Sequence, residues 1–317
     1  MGRTSKPRAG SLQFWPRKRA EKILPSVNWT VIKPGKDEGI QGFITYKVGM
    51  ASAVVKDDTL NSMTKGKKVI IPVTILEAPN MKIYSVRFYK NGKVMKDIVV
   101  SNDKELRRAT TAVPKAVGSL DKVPEGYEDI RIIAYSIPSQ TSVKKTPDLI
   151  ELAINAKDKL GFVKNLVGKE ITIKDVLKFN LIDVRGLTTG RGLVGPVKRF
   201  GITLKQHKSE KGVRRPGSLA PWHPARVTFR TPMAGQYGMF TRIHYNLNLI
   251  HSGSISEKDI NPGTGFKHYG KVRSSYVMLK GSVQGPPKRQ ILITPSFRPT
   301  KLQAKKKFEF QELLISS

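Results

Sequence analysis

Residues 83–100 read IYSVRFYKNGKVMKDIVV, and this stretch decides the fold class. Two β-rich runs, 83–89 and 94–100, flank Asn91-Gly92, a pair suited to a tight hairpin turn. Further strands are expected upstream at 69–76 and in the run holding Ile40, Phe43, Ile44, Tyr46 and Val48. Downstream candidates are 130–135, 181–184, 276–279 and 291–294. Ile243, Tyr245, Leu247 and Leu249 alternate with His244, Asn246 and Asn248, the pattern of a half-buried strand. Strands on both sides of a mixed block predict one barrel whose strands lie far apart in sequence, formed by 37–92 and 181–300. No internal repeat is visible.

The mixed block, 93–180, reads as an α+β insertion. Asn102 with Glu105 suits a capping box that opens a short helix. Thr146-Pro147-Asp148 reads as a helix start, with Pro at the first helical position. Leu149, Leu152, Ala153, Ala156 and Leu160 then share one helical face, and Gly161 suits the end. Thr172 with Asp175 predicts another short helix ending near Asn180. The ends, 1–36 and 301–317, read as tails.

Composition points to the partner. The chain carries 57 Lys and Arg against 24 Asp and Glu, a net charge of +33 over 317 residues. Most of that excess sits in three segments: 1–36 at +8, 188–230 at +9 and 267–307 at +11, whereas 93–185 carries only +4. Cations placed on phosphates release condensed counterions, so a dense polyanion is the expected partner. An anionic membrane fits poorly, because no apolar run approaches the ~20 residues that span a bilayer. The start, MGRTSKPRAG, lacks the apolar stretch of a signal peptide, and there is no cysteine, so cytoplasmic residence is expected. Asn28-Trp29-Thr30 matches a glycosylation acceptor only by chance on that reading.

The tail holds Trp15 beside Phe14, with Arg8, Arg17, Lys18 and Arg19, rings and cations suited to stacking on bases and neutralising phosphates. The competing reading packs Trp15 on the protein's own core. Residues 190–195 spell G-x-G-x-x-G, but Pro196 follows at once and no acidic residue stands ~20 positions on for a ribose hydroxyl, so a dinucleotide site is rejected. No helix is expected there. The stretch reads as a flexible basic loop in which Arg191, Lys198 and Arg199 meet phosphate. Residues 201–240 are rich in turn formers and poor in apolar side chains, as functional loops are. Arg214, Arg215 and Arg226 surround Pro221-Trp222-His223-Pro224, a stiff setting that suits Trp222 and His223 to RNA contact. The competing reading anchors Trp222 on its own domain. The five histidines show no metal spacing, and no nucleophile elbow is present, so neither a metal, a cofactor nor an enzyme is expected.

Five segments carry a family resemblance: GSLQFWPRKRA from residue 10, IDVRGLTTGRGLVGPVKRFG at 182–201, GVRRPGSLAPWHPARV at 212–227, MAGQYGMFTRI at 233–243 and YVMLKGSVQGPPKRQILI at 276–293. Together they resemble the universal L-three family of large-subunit ribosomal proteins, in its archaeal form. The resemblance implies a closed Greek-key barrel of the translation-protein type, bearing an α+β insertion and long basic extensions. It implies a structural protein, not an enzyme, bound to large-subunit rRNA near the 3′ end, beside other large-subunit proteins, early in assembly. Trp222 matches the family's tryptophan finger, which points toward the peptidyl transferase centre. His207, Gln236 of the A-G-Q-x-G motif, Arg242, Lys271, Lys288 and Arg289 join the expected RNA contacts. Phe200 departs from the family's K-R-W-G motif, and Ser209-Glu210-Lys211 depart from its pattern beside His207. The rival readings are an RNA-modifying enzyme and a free RNA chaperone, each with basic RNA-binding arms. No DNA partner is expected.

Overall fold

Long runs of β-branched and aromatic residues make this a strand protein. The computed structural model describes residues 10–31, 38–111, 113–114, 116–120, 123–208 and 211–314. They form fourteen strands: β1 Gly39–Ile40, β2 Phe43–Asp57, β3 Lys68–Ala78, β4 Met81–Lys90, β5 Lys93–Val99, β6 Asp129–Ser136, β7 Leu149–Asn155, β8 Leu181–Leu187, β9 Leu193–Val194, β10 Gly235–Gln236, β11 Thr241–Ser254, β12 Ser275–Lys280, β13 Gln290–Pro295 and β14 Phe308–Leu314. The α-helices are short: α1 Lys159–Leu166, α2 Ile173–Val176, α3 Pro196–Phe200 and α4 Lys301–Ala304. The chain divides into two compact units, one of residues up to 21 with 187–241, the other of 22–186 with the rest from 242.

In the larger unit, seven strands run in the order β13-β8-β11-β12-β3-β2-β14, and β13 also pairs with β2. Six of them therefore form a closed cycle of hydrogen-bonded neighbours, with β14 attached to β2. The 15-residue β2 serves several partners, pairing with β13 over 43–46, β3 over 46–56 and β14 over 52–57. A bulge at Lys47/Gly49 shifts its register against β3. Phe43, Ile44 and Tyr46 join one buried cluster, whereas Val48, Ala53 and Val55 join another. Strand alternation does the same on β12, where Val277 and Leu279 face the first cluster and Tyr276 and Met278 the second.

A second sheet of the same unit has the order β1-β7-β6-β4-β5. The expected turn forms at Asn91 (φ 51°) and Gly92 (φ 72°). Segment 37–92 is nevertheless split, because β4 pairs with β5 and β6 and not with the ring. Its residues Val86 and Phe88 share the first cluster with Ile132, Leu152, Ile182 and Leu292, so both sheets contribute to one core.

Several expectations need correction. The helix expected from 146 to 161 is strand β7 over 149–155. Apolar residues there satisfy both periods, but Ile150, Leu152 and Ile154 are buried and β6 offers a ladder from Arg131↔Ala153 to Tyr135↔Leu149. The helix begins later, at Lys159, capped by the Asp158 carboxylate, which accepts from Leu160 and Gly161 backbone N–H at 3.0 Å. Thr172 and Asp175 do form a capping box, but α2 ends at Val176. The turn after Asn102 is a 3-10 helix at Lys104–Arg108 that follows Asp103 without a side-chain cap. Pro196 opens α3 instead of preventing a helix, since Pro suits the first helical position.

The tails are also partly built in. Trp29 is 5 % exposed, donates its indole N–H to the Glu151 carbonyl at 2.9 Å and meets Phe297 edge-on. Residues 308–314 form β14. The β11 alternation holds only in part: Ile243 and Tyr245 are exposed, while Leu247 and Asn248 are both buried. Asn246 interrupts the strand with φ 57°, so the period-two rule resets there.

Candidate nucleic-acid interface

The smaller unit is built on two chain segments that zip together. Thr188 N–H donates to the Phe240 carbonyl at 3.0 Å, Arg191 N–H to Tyr237 at 2.9 Å and Tyr237 N–H to Gly192 at 2.9 Å. β9 and β10 continue this pairing through Leu193↔Gln236. Close approach explains one glycine: Gly238 has φ 78°, and a Cβ there would lie 2.0 Å from the Thr189 carbonyl oxygen.

Arg199 fixes the base of the loop. It donates to the carbonyls of Gln236 at 3.1 Å, Met233 at 3.0 Å and Arg17 at 3.4 Å. Arg17 answers by donating to the Arg199 carbonyl at 2.9 Å, and its guanidinium lies 4.3 Å from the centre of the buried Phe200 ring. Trp15 packs against Phe200 at 6.0 Å and Phe229 at 5.9 Å between ring centroids. Ala20 N–H donates to the Met239 carbonyl at 3.0 Å. Residues 10–21 thus belong to the same unit as the loop.

Four of the expected RNA contacts therefore have structural work in this chain. Trp15, Arg17 and Arg199 are half-buried in the loop base, so the competing reading of Trp15 is favoured in part: it packs on protein rings. Gln236 turns its amide back to donate to the Tyr237 and Gly238 carbonyls at 3.3 and 3.1 Å. Burial also lowers the pKa of Arg199 from its ordinary value, yet an arginine starts so high that it stays charged.

The remaining residues are presented outward. Lys18, Arg19, Arg191, Lys198, His207, Arg214, Arg215, His223 and Arg226 are exposed. Trp222 is 90 % exposed, and the ring beside it is that of His223, at 6.3 Å. It does not anchor the loop. Arg8 lies outside the described residues. Arg242, Lys271 and Lys288, exposed, and Arg289, half-buried, belong to the larger unit.

Charge separates this unit from ordinary protein surface. Its segments, residues 1–21 and 187–241, hold sixteen basic side chains and two acidic ones, and Glu21 is the one carboxylate among its described residues. The reading by single motifs overlooked Lys205, Lys208, Lys211 and Arg230, although the charge of 188–230 already contained them. A groove of about 300 Å³ is lined by Arg214, Arg215, Pro216, Leu219 and Met233 among others. Cations beside an apolar floor can hold a phosphate and an adjoining base. Among the described residues, no group of three or more His, Asp or Glu could hold a metal, and no helix is long and apolar enough to cross a membrane.

The family described as ribosomal protein L3 matches residues 1–109 and 101–316. The chain is 37 % identical over 330 residues to the large ribosomal subunit protein uL3 of Methanococcus vannielii, covering 99 % of this chain and 96 % of that one. It is 38 % identical to the uL3 of Methanocaldococcus jannaschii, over 93 % of this chain and 92 % of the other. For the uL3 of Archaeoglobus fulgidus the identity is 39 %, over 93 % of each. With a family match that runs nearly end to end and archaeal relatives matched over more than nine-tenths of their length, the chain belongs to the ribosomal protein L3 family.

Proposed function

We propose that this protein is a structural constituent of the large ribosomal subunit, without catalytic role, that clamps rRNA near its 3′ end during early assembly. The observation that carries the reading is the smaller unit: an exposed tryptophan on a loop whose cations face outward and have almost no carboxylates to neutralise them. Lys18, Arg19, Arg191, Lys198, Arg214, Arg215 and Arg226 meet phosphates, and Trp222 with His223 reaches among bases as a finger toward the peptidyl transferase centre. Trp15, Arg17 and Arg199 hold the finger's base, so their effect on RNA is through shape. The cycle of six strands is the Greek-key barrel of the translation-protein type, and the five-stranded sheet is the insertion, with little RNA contact. Neighbouring large-subunit proteins complete the setting, in the cytoplasm.

Sedimentation of a cell lysate tests the reading. The protein should run almost entirely with large subunits, near one copy each. A large free pool, or enrichment with an RNA-processing complex at low stoichiometry, would favour a chaperone or an RNA-modifying enzyme.

A further inference from the structure

A second basic cavity lies in the larger unit. It has a volume of about 430 Å³ and is built by the first half of β11, the end of β12 and the segment around α4. Pockets of ~300–1,000 Å³ suit small ligands or single groups of larger ones. Lys280 and Lys306 both line it, and no carboxylate does. Burial, then the neighbouring Lys306, lowers the pKa of Lys280 below the usual lysine value. The two ammonium groups thus oppose each other, an opposition that Asp57 offsets only in part, and an anion between them would relieve it further.

The walls are held firmly. Asn248 donates its amide N–H to the Gln303 carbonyl at 3.1 Å, tying β11 to α4. Asn246, at φ 57°, is clamped by its backbone N–H on Asp183 Oδ1 at 2.9 Å and by Ser296 Oγ, which donates to its Oδ1 at 2.6 Å. A non-glycine residue kept in the left-handed region is strained backbone of the kind that gathers at binding sites. Its amide NH2 has no protein partner among the described residues. Tyr245 lines the same cavity and is 54 % exposed, a flat ring available to a base.

We infer that this cavity seats one nucleotide of single-stranded RNA, its phosphate between Lys280 and Lys306 and its base on the Tyr245 ring, with the Asn246 amide reading the base edge. The inference rests on the reading of the chain as an rRNA-binding protein, but the site belongs to the larger unit and the Trp222 loop to the smaller one. Two opposed cations favour phosphate, and the adjoining aromatic and amide favour a nucleotide over a bare anion.

The test uses the full chain bound to large-subunit rRNA transcribed with 4-thiouridine. Irradiation should cross-link the peptide containing Tyr245, identified by mass spectrometry. Lys306→Ala, and Lys280→Ala with Lys306→Ala, should reduce that cross-link about tenfold, in line with the loss of one phosphate contact and its stacked base. Cross-links from the 187–241 segment should persist at wild-type yield, which also reports that the variants fold. Persistent cross-links there with none at Tyr245 in the wild-type protein would overturn the cavity's role, as would an unchanged Tyr245 yield in the Lys306→Ala variant. Failure of the wild-type chain to bind rRNA at all would instead reject the proposed function.

Discussion

Arginines in two regions of this chain are satisfied in opposite ways. In the five-stranded sheet Arg131 is buried between Asp129 at 3.1 Å and Glu151 at 3.5 Å, with its guanidinium 4.1 Å from the Tyr89 ring centre. Arg87 meets Asp97 at 2.7 Å in the same sheet. In the smaller unit Arg199 bonds to three backbone carbonyls instead. A carbonyl accepts the hydrogen bond but carries no formal charge. The sheet's cations are therefore neutralised, while those of the loop base are oriented yet still positive. A positive field that the protein leaves unbalanced is free to act on a polyanion.

Salt should expose the contrast most strongly. With six to ten phosphate contacts, affinity for large-subunit rRNA should fall roughly 10³–10⁵-fold between about 50 and 200 mM salt. Lys18→Ala with Arg19→Ala should reduce the slope of that dependence by about two contacts. Lys144→Ala with Lys159→Ala, which removes cations paired to Asp148 at 2.5 Å and Asp129 at 2.6 Å, should leave it unchanged. Equal losses from both pairs, measured by filter binding, would erase the distinction.

Stability should respond in the reverse sense. Arg131→Met removes the buried cation but leaves Asp129 with Lys159 and Glu151 with Arg87, so the cost should lie toward the lower end of the roughly 3–5 kcal/mol seen when a buried pair loses one partner. Urea unfolding should report the loss, with the salt slope of RNA binding intact. Arg199→Met should cost less, roughly 1.5–3 kcal/mol for its charge-assisted bonds. Its sign is faster limited proteolysis within 201–234, together with weaker RNA binding. If Arg199→Met left both unchanged, the carbonyl cage would have no part in holding the loop.

Acid tests a carboxylate held without any cation in direct contact. Hydrogen bonds from Thr59, Thr64 and Ser62 hold the Asp57 carboxyl well below the usual range, so the charged form is favoured in the folded chain. Its contribution is complete above the unfolded-state value of about 3.9 and declines as pH falls below it. Asp57→Asn should therefore lower stability near neutral pH and flatten the acid limb of a pH–stability profile. A parallel limb in the variant would assign the acid loss to other groups.

The smallest effect on stability belongs to Trp222. As a side chain 90 % exposed, it should change the unfolding free energy of the free protein by no more than about 0.5 kcal/mol when replaced by Ala. Its contribution to RNA binding should be roughly 1–3 kcal/mol, the worth of one stacked base. Peptidyl-transfer rates of subunits carrying the variant would show whether the ring positions the finger's tip. A variant that unfolds would place Trp222 in a core.

Local chemistry in the sequence was enough for some of these features. Asn91-Gly92 turned where two β-rich runs required it, and Thr172 with Asp175 capped α2, because neighbours along the chain settle such conformations. The basic excess of 188–230, and with it the outward-facing loop around Trp222, was visible as composition, since few apolar side chains there could be buried. Tertiary structure decided the rest. Residues 149–155 fit helical and strand periods alike, and only the ladder offered by β6 made them a strand. The string FWPRKR reads as a row of similar RNA contacts, yet Trp15 and Arg17 turn inward while Lys18 and Arg19 turn out. The acceptor of Arg17 and the ring beneath it lie at Arg199 and Phe200, about 180 residues away. A side chain's charge is written in its sequence, but whether that charge is spent depends on which distant groups the fold brings within about 3 Å of it.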